Sequence, residues 1–164
     1  ADGCRDAAMT ESRSSVVLST LAAFVLQAVP LTSALEMLRP PFAVLLVIFW
    51  SLTAPRVGGI ALGFFIGLAI DVYQGVVLGQ HALATALVAY LAVRQHLLVR
   101  TKPLLEQSLF VFALLLAWVA TCWLIEAFNG SSTGDATRWV TALTGAVIWP
   151  LMMIWGASRT AGTR

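Results

Sequence analysis

The chain has 164 residues and a formal net charge of +2; 59% of its residues are hydrophobic, 11% are charged, and the mean hydropathy is +0.87. A soluble domain usually has about 25% charged residues, so the composition excludes a soluble catalytic domain and indicates one all-α membrane domain. At about 20 residues for each spanning helix, the length allows five or six spans.

Prolines, glycines and charged residues divide the chain into six predicted helical segments. The second segment would be only about 20 Å long at 1.5 Å per residue, so it either spans a thin region or re-enters the membrane. Polar tails at 1–14 and 159–164, both expected in the cytoplasm, flank a membrane domain at 15–158. A signal peptide is not expected, because no small-residue cleavage site follows the first apolar run. The predicted segments are 14–38, 42–54, 57–73, 81–99, 104–128 and 139–156, with a polar loop at 129–135.

The distribution of Lys and Arg predicts the orientation of these segments, because basic residues collect on the cytoplasmic side. Six spans with both termini inside leave only Arg39 and Arg138 outside, against eight basic residues inside. If the second segment does not cross and the N-terminus is outside, the counts are seven and three. We favour six spans, and both arrangements orient everything after Arg56 identically. The eight inner residues are Arg5, Arg13, Arg56, Arg94, Arg100, Lys102, Arg159 and Arg164.

Glycines recur at four-residue intervals along the third segment, at Gly59, Gly63 and Gly67. Small residues at this spacing allow another helix to approach closely. We expect the glycine face to pack internally against the first, fifth or sixth segment. The alternative is a docking groove for a transmembrane helix of a partner.

Asp71 continues the four-residue series, and Gly75 and Gly79 extend it into the turn before the fourth segment. A buried carboxylate needs hydrogen-bond donors, and the turn amides, Gln80 and His81 are the nearest candidates. We therefore predict that Asp71 fixes the outer end of this hairpin. The alternatives are a proton or ion relay through Asp71 and His81, and a polar contact surface for a partner.

Catalysis, a metal and a cofactor are not expected. Asp71, His81 and Glu126 are the plausible acid–base groups near the outer face, and no nucleophile motif, metal-ligand set, phosphate loop or dinucleotide fingerprint accompanies them. Cys4 and Cys122 cannot form a metal site alone. An intramembrane hydrolase is therefore disfavoured.

A basic group made of Arg94, Arg100 and Lys102, with His96 nearby, lies on the predicted cytoplasmic side. Its simplest role is an anchor to anionic lipid headgroups, at about 1 kcal/mol per basic residue. The alternative is a contact with a cytoplasmic protein.

Three motifs resemble those of the rod-shape-determining MreD family, and the resemblance covers about residues 15–154. The family often has a polar residue where Pro41 stands, and its last helix usually ends in several basic residues rather than the Gly-Ala-Ser that precedes Arg159. The motifs are Arg39-Pro40 with the apolar run 44–50 and Pro55-Arg56-Val-Gly58; Gly67-Leu-x-x-Asp71-x-x-x-Gly75-x-x-Leu78-Gly79-x-His81-Ala-Leu83, leading to Tyr90 and Arg94; and Trp149-Pro150-Leu151.

The resemblance implies a non-enzymatic, multi-pass subunit of the rod-shape machinery (the elongasome) in the bacterial inner membrane. MreC is the implied main partner, and the implied role is to organise or regulate side-wall peptidoglycan synthesis. MreB, the glycosyltransferase RodA and a class B penicillin-binding transpeptidase are implied as direct or indirect partners; membrane lipids are expected contacts, and nucleic acid is not.

The family is also similar in architecture to the six-helix substrate-binding subunits of energy-coupling-factor vitamin transporters. That similarity supplies a rival hypothesis, a small-molecule-binding membrane subunit of a transporter. Those subunits carry an Ala-x-x-x-Ala motif on their first helix. The alanines here do not have that spacing, which counts against this hypothesis; they are Ala22, Ala23, Ala28 and Ala34.

Overall fold

The computed structural model describes residues 16, 18–20, 22, 23, 25, 39–55, 58–130 and 137–161, with the backbone alone at 137 and 155–161. Its regular structure is all helical, with no strand among these residues. The described positions between 16 and 25 are helical. Five further helices are α1 (Phe42–Thr53), α2 (Ile60–Gln74), α3 (Gln80–Arg100), α4 (Leu104–Phe128) and α5 (Thr137–Ala161).

Most helix boundaries follow local sequence signals. Helix α4 begins directly after Pro103, whose extended backbone fits the residue before a helix, and covers the predicted range. Helix α2 begins three residues later than predicted, after the extended residue Gly59. Helix α5 begins two residues earlier than predicted and continues five residues past Gly156, to Ala161. Pro150 lies inside it, as predicted. The predicted tail at 1–14, most of the segment at 14–38 and most of the loop at 129–135 lie outside the described residues.

Helix α1 is a central helix of the bundle. It has 12 residues, and eight of them are buried, on all of its sides. It contacts α2, α3 and α5. The indole ring of Trp149 on α5 is fully buried and lies 6.5 Å from the ring of Phe49, centroid to centroid. A helix that is apolar all round is expected in such an interior position.

Helices α2 and α3 form an antiparallel hairpin with the most extensive packing between any two described helices, and α4 joins α3 to α5. Two helices, Gln80–Arg100 and Leu104–Phe128, are long enough and apolar enough to cross a membrane. The other apolar stretches, Phe42–Thr53, Ile60–Gln74 and Arg138–Ile154, are shorter. The length and composition of these helices indicate a membrane protein.

Candidate functional site

Buried polar side chains collect at one end of the bundle, where α1 begins, α2 ends, α3 begins, α4 ends and α5 begins. We call this the polar end and define it by Asp71, Gln80, His81, Glu126 and Arg138. Four of these five side chains belong to buried residues: Asp71 is fully buried, and Gln80, His81 and Glu126 are less than a tenth exposed. Because burying polar groups without partners is costly, each needs a hydrogen bond inside the protein.

Asp71 accepts hydrogen bonds from the start of α3. Its Oδ2 accepts from the backbone amides of Gly79, at 2.9 Å, and Ala82, at 3.2 Å. Its Oδ1 accepts from the amide of His81 at 2.8 Å. The first amides of a helix have no partner within the helix and carry a partial positive charge, so an ionised carboxylate is well placed there.

Two glycines shape the turn that brings Asp71 to this helix start. Gly75 ends α2 at φ +64°, and Gly79 precedes α3 at φ +104°. Both lie in the left-handed region that favours glycine, and a Cβ at either position would meet no atom within 4 Å. These two glycines therefore serve the backbone of the turn rather than the packing of helices.

The imidazole of His81 gives Asp71 its fourth contact, between Nδ1 and Oδ1 at 2.9 Å. An ionised Asp71 can only accept a hydrogen bond, so in that state Nδ1 carries the proton and donates it to Oδ1. The other ring nitrogen, Nε2, takes no part in this contact. The ring also lies 5.5 Å from the indole of Trp118 on α4, centroid to centroid. His81 is thus held by a carboxylate on one side and an aromatic ring on another.

Gln80 takes part in a separate set of contacts that joins three helices. Its Nε2 donates to Oε1 of Glu126 on α4 at 2.7 Å, and Nη1 of Arg138 on α5 pairs with the other carboxylate oxygen, Oε2. Gln80 therefore bonds to Glu126 and not to Asp71 as the sequence suggested, because Asp71 lies next to the backbone amides of α3.

The glycine face of α2 packs against α3. A Cβ at Gly63 would lie 2.8 Å from the carbonyl oxygen of Thr85, and one at Gly67 would overlap Thr85 Oγ1, the carbonyl of His81 and the Cα of Ala82. The Thr85 hydroxyl lies 2.6 Å from the carbonyl oxygens of both Gly63 and His81, so it can donate across the helix interface. The α2 and α3 backbones thus approach at the distance that small residues permit.

This packing corrects two expectations about the glycine series. The face was predicted to meet the first, fifth or sixth segment, and that is wrong: Gly63 and Gly67 meet the next helix in the chain, because the tight turn folds α3 back onto α2. The alternative of an open docking groove is also wrong for these two residues, since α3 fills it. Gly59 lies before α2, where a Cβ would have only Pro55 O as a neighbour, at 3.5 Å.

A cleft of about 440 Å³ opens beside the polar contacts. Its walls come from the chain before α1, the end of α2, the start of α3, the end of α4 and the start of α5. His81, Glu126 and Arg138 line it, together with Arg39 and Trp118. Three residues that define the polar end therefore also line the cleft.

Cys122 lines the cleft as a buried free thiol. Within the described ranges, no three His, Cys, Asp or Glu side chains lie close enough together to hold a metal ion. The Asp–His pair makes its hydrogen bonds at the start of α3, so the contacts in the structure position this helix start.

The predicted basic group lies at the opposite end of the bundle. Arg94 and Arg100 are exposed, and the Arg94 guanidinium donates to the Tyr90 hydroxyl at 3.3 Å. Lys102 Nζ lies 3.0 Å from the Glu106 carboxylate, and both side chains are 53% exposed. No role was predicted for Glu106, although its position four residues after Lys102 on a helix favours this pair.

Among the contacts that were not predicted are the pairing of Glu126 with Arg138 and the bridge made by Thr85. A charged residue at each side of the polar loop, in the last turn of α4 and the first turn of α5, was a signal for the ion pair. Thr85 carried no sequence signal, because its role depends on which helix lies opposite.

Comparisons with known proteins agree on one family. The sequence model of the rod shape-determining protein MreD matches residues 10–157. The Rod shape-determining protein MreD of Haemophilus influenzae (strain ATCC 51907 / DSM 11121 / KW20 / Rd) is 28% identical over 132 residues, which cover 80% of this chain and 82% of that protein. No solved structure matches the chain significantly.

Proposed function

The chain belongs to the MreD family of rod shape-determining proteins, and on that premise we propose that it is a non-enzymatic inner-membrane subunit that binds MreC and helps to organise side-wall peptidoglycan synthesis. The observation that carries the proposal is the family match over residues 10–157, which includes every described helix apart from the last turn of α5. Membership of the family supports a role in rod-shape determination; MreC binding and the link to peptidoglycan synthesis are the proposed part.

The proposed arrangement has six spans with both termini in the cytoplasm. Two helices of spanning length, three shorter apolar helices and the eight-to-two distribution of basic residues support it. In this orientation the polar end faces the outside, and Arg94, Arg100 and Lys102 face the cytoplasm. The two membrane surfaces of the protein would then differ in chemistry. Partners outside would meet the polar end, and partners in the cytoplasm would meet the basic residues; RodA, the transpeptidase and MreB are among the proposed partners.

The contacts of the polar end favour a scaffold over an enzyme. Asp71 uses both oxygens to hold the α2–α3 turn, and Glu126 ties α3 to α5 through Gln80 and Arg138. Groups held this way fix the relative positions of helices, which is what a subunit needs to present a constant surface to MreC.

Affinity purification of the tagged chain from its native membranes tests the proposal. Recovery of MreC is the expected result. Recovery of an ATPase pair with a membrane scaffold, and no MreC, would favour the transporter hypothesis instead. Restoration of rod shape in a bacterium without its own MreD is the matching functional measurement.

The Gly63→Leu variant tests whether the α2–α3 interface supports this role. A leucine there meets the backbone of Thr85, so we expect reduced membrane accumulation or reduced MreC recovery. Ala61→Leu is the matched control, because Ala61 is exposed on the same helix. Normal levels of both protein and MreC in Gly63→Leu would contradict the role of the interface.

A further inference from the structure

Helices α3 and α4 are joined near both of their ends, so positions along the two helices can be compared. At the polar end, Gln80 on α3 donates to Glu126 on α4 at 2.7 Å. At the opposite end, the short turn at 101–103 connects the helices. Glu106 lies 20 positions before Glu126 on α4. The two carboxylates are therefore about 30 Å apart along the helix, which is the thickness of the hydrocarbon core of a bilayer.

The α2–α3 hairpin has a shorter apolar surface than α4. Helix α2 has 15 residues and is about 22 Å long. On α3, Arg94 is exposed, and its guanidinium donates to the Tyr90 hydroxyl at 3.3 Å. An exposed arginine with a tyrosine hydroxyl is typical of the membrane–water interface. Arg94 lies 14 positions after Gln80, which is about 21 Å and about 9 Å less than the hydrocarbon core.

The turn between α2 and α3 extends the hairpin beyond the polar contacts. Helix α2 continues three residues past Asp71, to Gln74, which adds about 4.5 Å before the turn begins. The turn that follows is apolar and accessible, with Val77 51% exposed and Leu78 68% exposed. With the turn included, the apolar surface of the hairpin approaches the thickness of the hydrocarbon core.

The charge of the hairpin also differs from that of the neighbouring loop. Residues 58–93 include one acidic residue, Asp71, and no Lys or Arg, and Asp71 is fully buried. The connection after α4, at the same end of the bundle, has the polar sequence Asn-Gly-Ser-Ser-Thr-Gly-Asp at 129–135. Such a composition is typical of a loop in water. The two connections at the polar end therefore indicate different surroundings.

Exposed apolar side chains continue from the helices into the turn. Phe65 and Val72 on α2 and Leu83 on α3 are each more than half exposed. Side chains of this kind on a membrane-spanning hairpin face lipid. A bilayer that becomes thinner beside the hairpin would also match its length, but that deformation costs free energy for every ångström of mismatch. Immersing an apolar turn in lipid is favourable instead.

We propose that the turn at 76–78 inserts into the outer leaflet, at the boundary between acyl chains and headgroups, and that lipid is the partner of this surface. This rests on the proposed spanning arrangement and does not depend on MreC binding. Insertion places Asp71 and His81 below the headgroups, where little water competes for their hydrogen bonds.

Spin labels at single cysteines measure the depth of the turn in nanodiscs of dioleoyl phosphatidylcholine. Leu78→Cys and Asn129→Cys, at two exposed positions of the polar end, are introduced into the full-length chain after Cys4→Ser and Cys122→Ala remove the native thiols. Power saturation compares collisions with oxygen, which concentrates among acyl chains, and with a water-soluble nickel chelate. We expect nickel to reach the label at 78 about threefold less than the label at 129, because inserted apolar segments lie about 5–10 Å deep.

A third label, in Leu87→Cys, tests the spanning arrangement separately. Leu87 is 41% exposed and lies midway between Gln80 and Arg94 on α3. If nickel reaches the labels at 87 and 129 equally, α3 does not span, and both the arrangement and the insertion are wrong.

Equal access of nickel to the labels at 78 and 129, with the label at 87 protected, would overturn the insertion alone. A bilayer that thins around the hairpin gives this second result. If Leu78→Cys does not reconstitute into nanodiscs, Val77→Cys takes its place, since Val77 is exposed in the same turn.

Discussion

At the polar end of the bundle the charged side chains are mostly buried and bonded to backbone amides or to each other, whereas at the opposite end Arg94, Arg100 and Lys102 are accessible. Asp71 is fully buried with four contacts, while Lys102 and Glu106 form one pair with half of each side chain exposed. Charged residues therefore have different roles at the two ends of the bundle. At the polar end they determine how helices are held together, and at the basic end they determine mainly what the surface attracts.

The largest expected effect comes from removing the acceptor at the polar end. Asp71→Leu leaves three backbone amides and His81 Nδ1 without a partner, so we expect a loss of about 4 kcal/mol or more in the free energy of unfolding and little protein in the membrane. Asp71→Asn keeps one acceptor oxygen and should cost about half as much.

Membrane accumulation, the unfolding midpoint and shape complementation measure the difference between the two Asp71 variants. If both variants lose function completely while Asp71→Asn still folds normally, the charge of Asp71 is required for function. A purely structural role for Asp71 is then wrong.

The next effect concerns the close approach of α2 and α3. Gly67→Ala places a Cβ against Thr85 and the backbone of His81, and we expect it to cost about 2 kcal/mol as the helices separate. Gly59→Ala is the control, since its Cβ would have ordinary contact with Pro55 O at 3.5 Å. The unfolding midpoints of the two variants are compared in the same detergent. Similar midpoints would show that α3 can shift away from Gly67 at little cost.

A smaller effect is expected from the ion pair between α4 and α5. Glu126 is buried but Arg138 is partly exposed, so solvent weakens their attraction. A double-mutant cycle with Glu126→Gln and Arg138→Gln should give a coupling of about 1 kcal/mol. Chemical unfolding of the four proteins measures it. A coupling free energy near zero would show that the ion pair does not contribute to the stability of the fold.

The smallest effect belongs to the exposed end. Glu106→Gln removes the partner of Lys102 at i, i+4, and we expect a change of at most about 0.5 kcal/mol in stability, which added salt reduces further. The unfolding midpoint at low and high salt measures it. A loss as large as that of Asp71→Asn would remove the contrast between the two ends.

Local signals in the sequence account for most of the fold elements. Pro103 determines where α4 begins, and the tight turn between α2 and α3 was predicted from Gly75 and Gly79. The end of α5 was less accurate, because a single glycine in an apolar helix does not by itself end the helix. Residues near Asp71 were predicted as its donors for the same local reason, since the turn keeps them within ten positions.

Other parts of the site depend on which helices are neighbours. Gln80 and Glu126 are 46 residues apart, and Thr85 and Gly63 are 22 apart. No local pattern specifies that these side chains meet, so Gln80 was assigned to the wrong carboxylate and the glycine face to the wrong helix. The cleft is a further case, because five separate chain segments form its walls.

The sequence by itself determined that this is a helical, apolar chain of the MreD family with a carboxylate beside a glycine turn, because composition, turn residues and motifs act within a few positions along the chain. Only the tertiary structure decided that α3 fills the glycine face, that Glu126 joins three helices and that a cleft lies beside them. Those outcomes depend on the packing of helices distant in sequence, where small residues set the distance between backbones and buried polar groups must find partners.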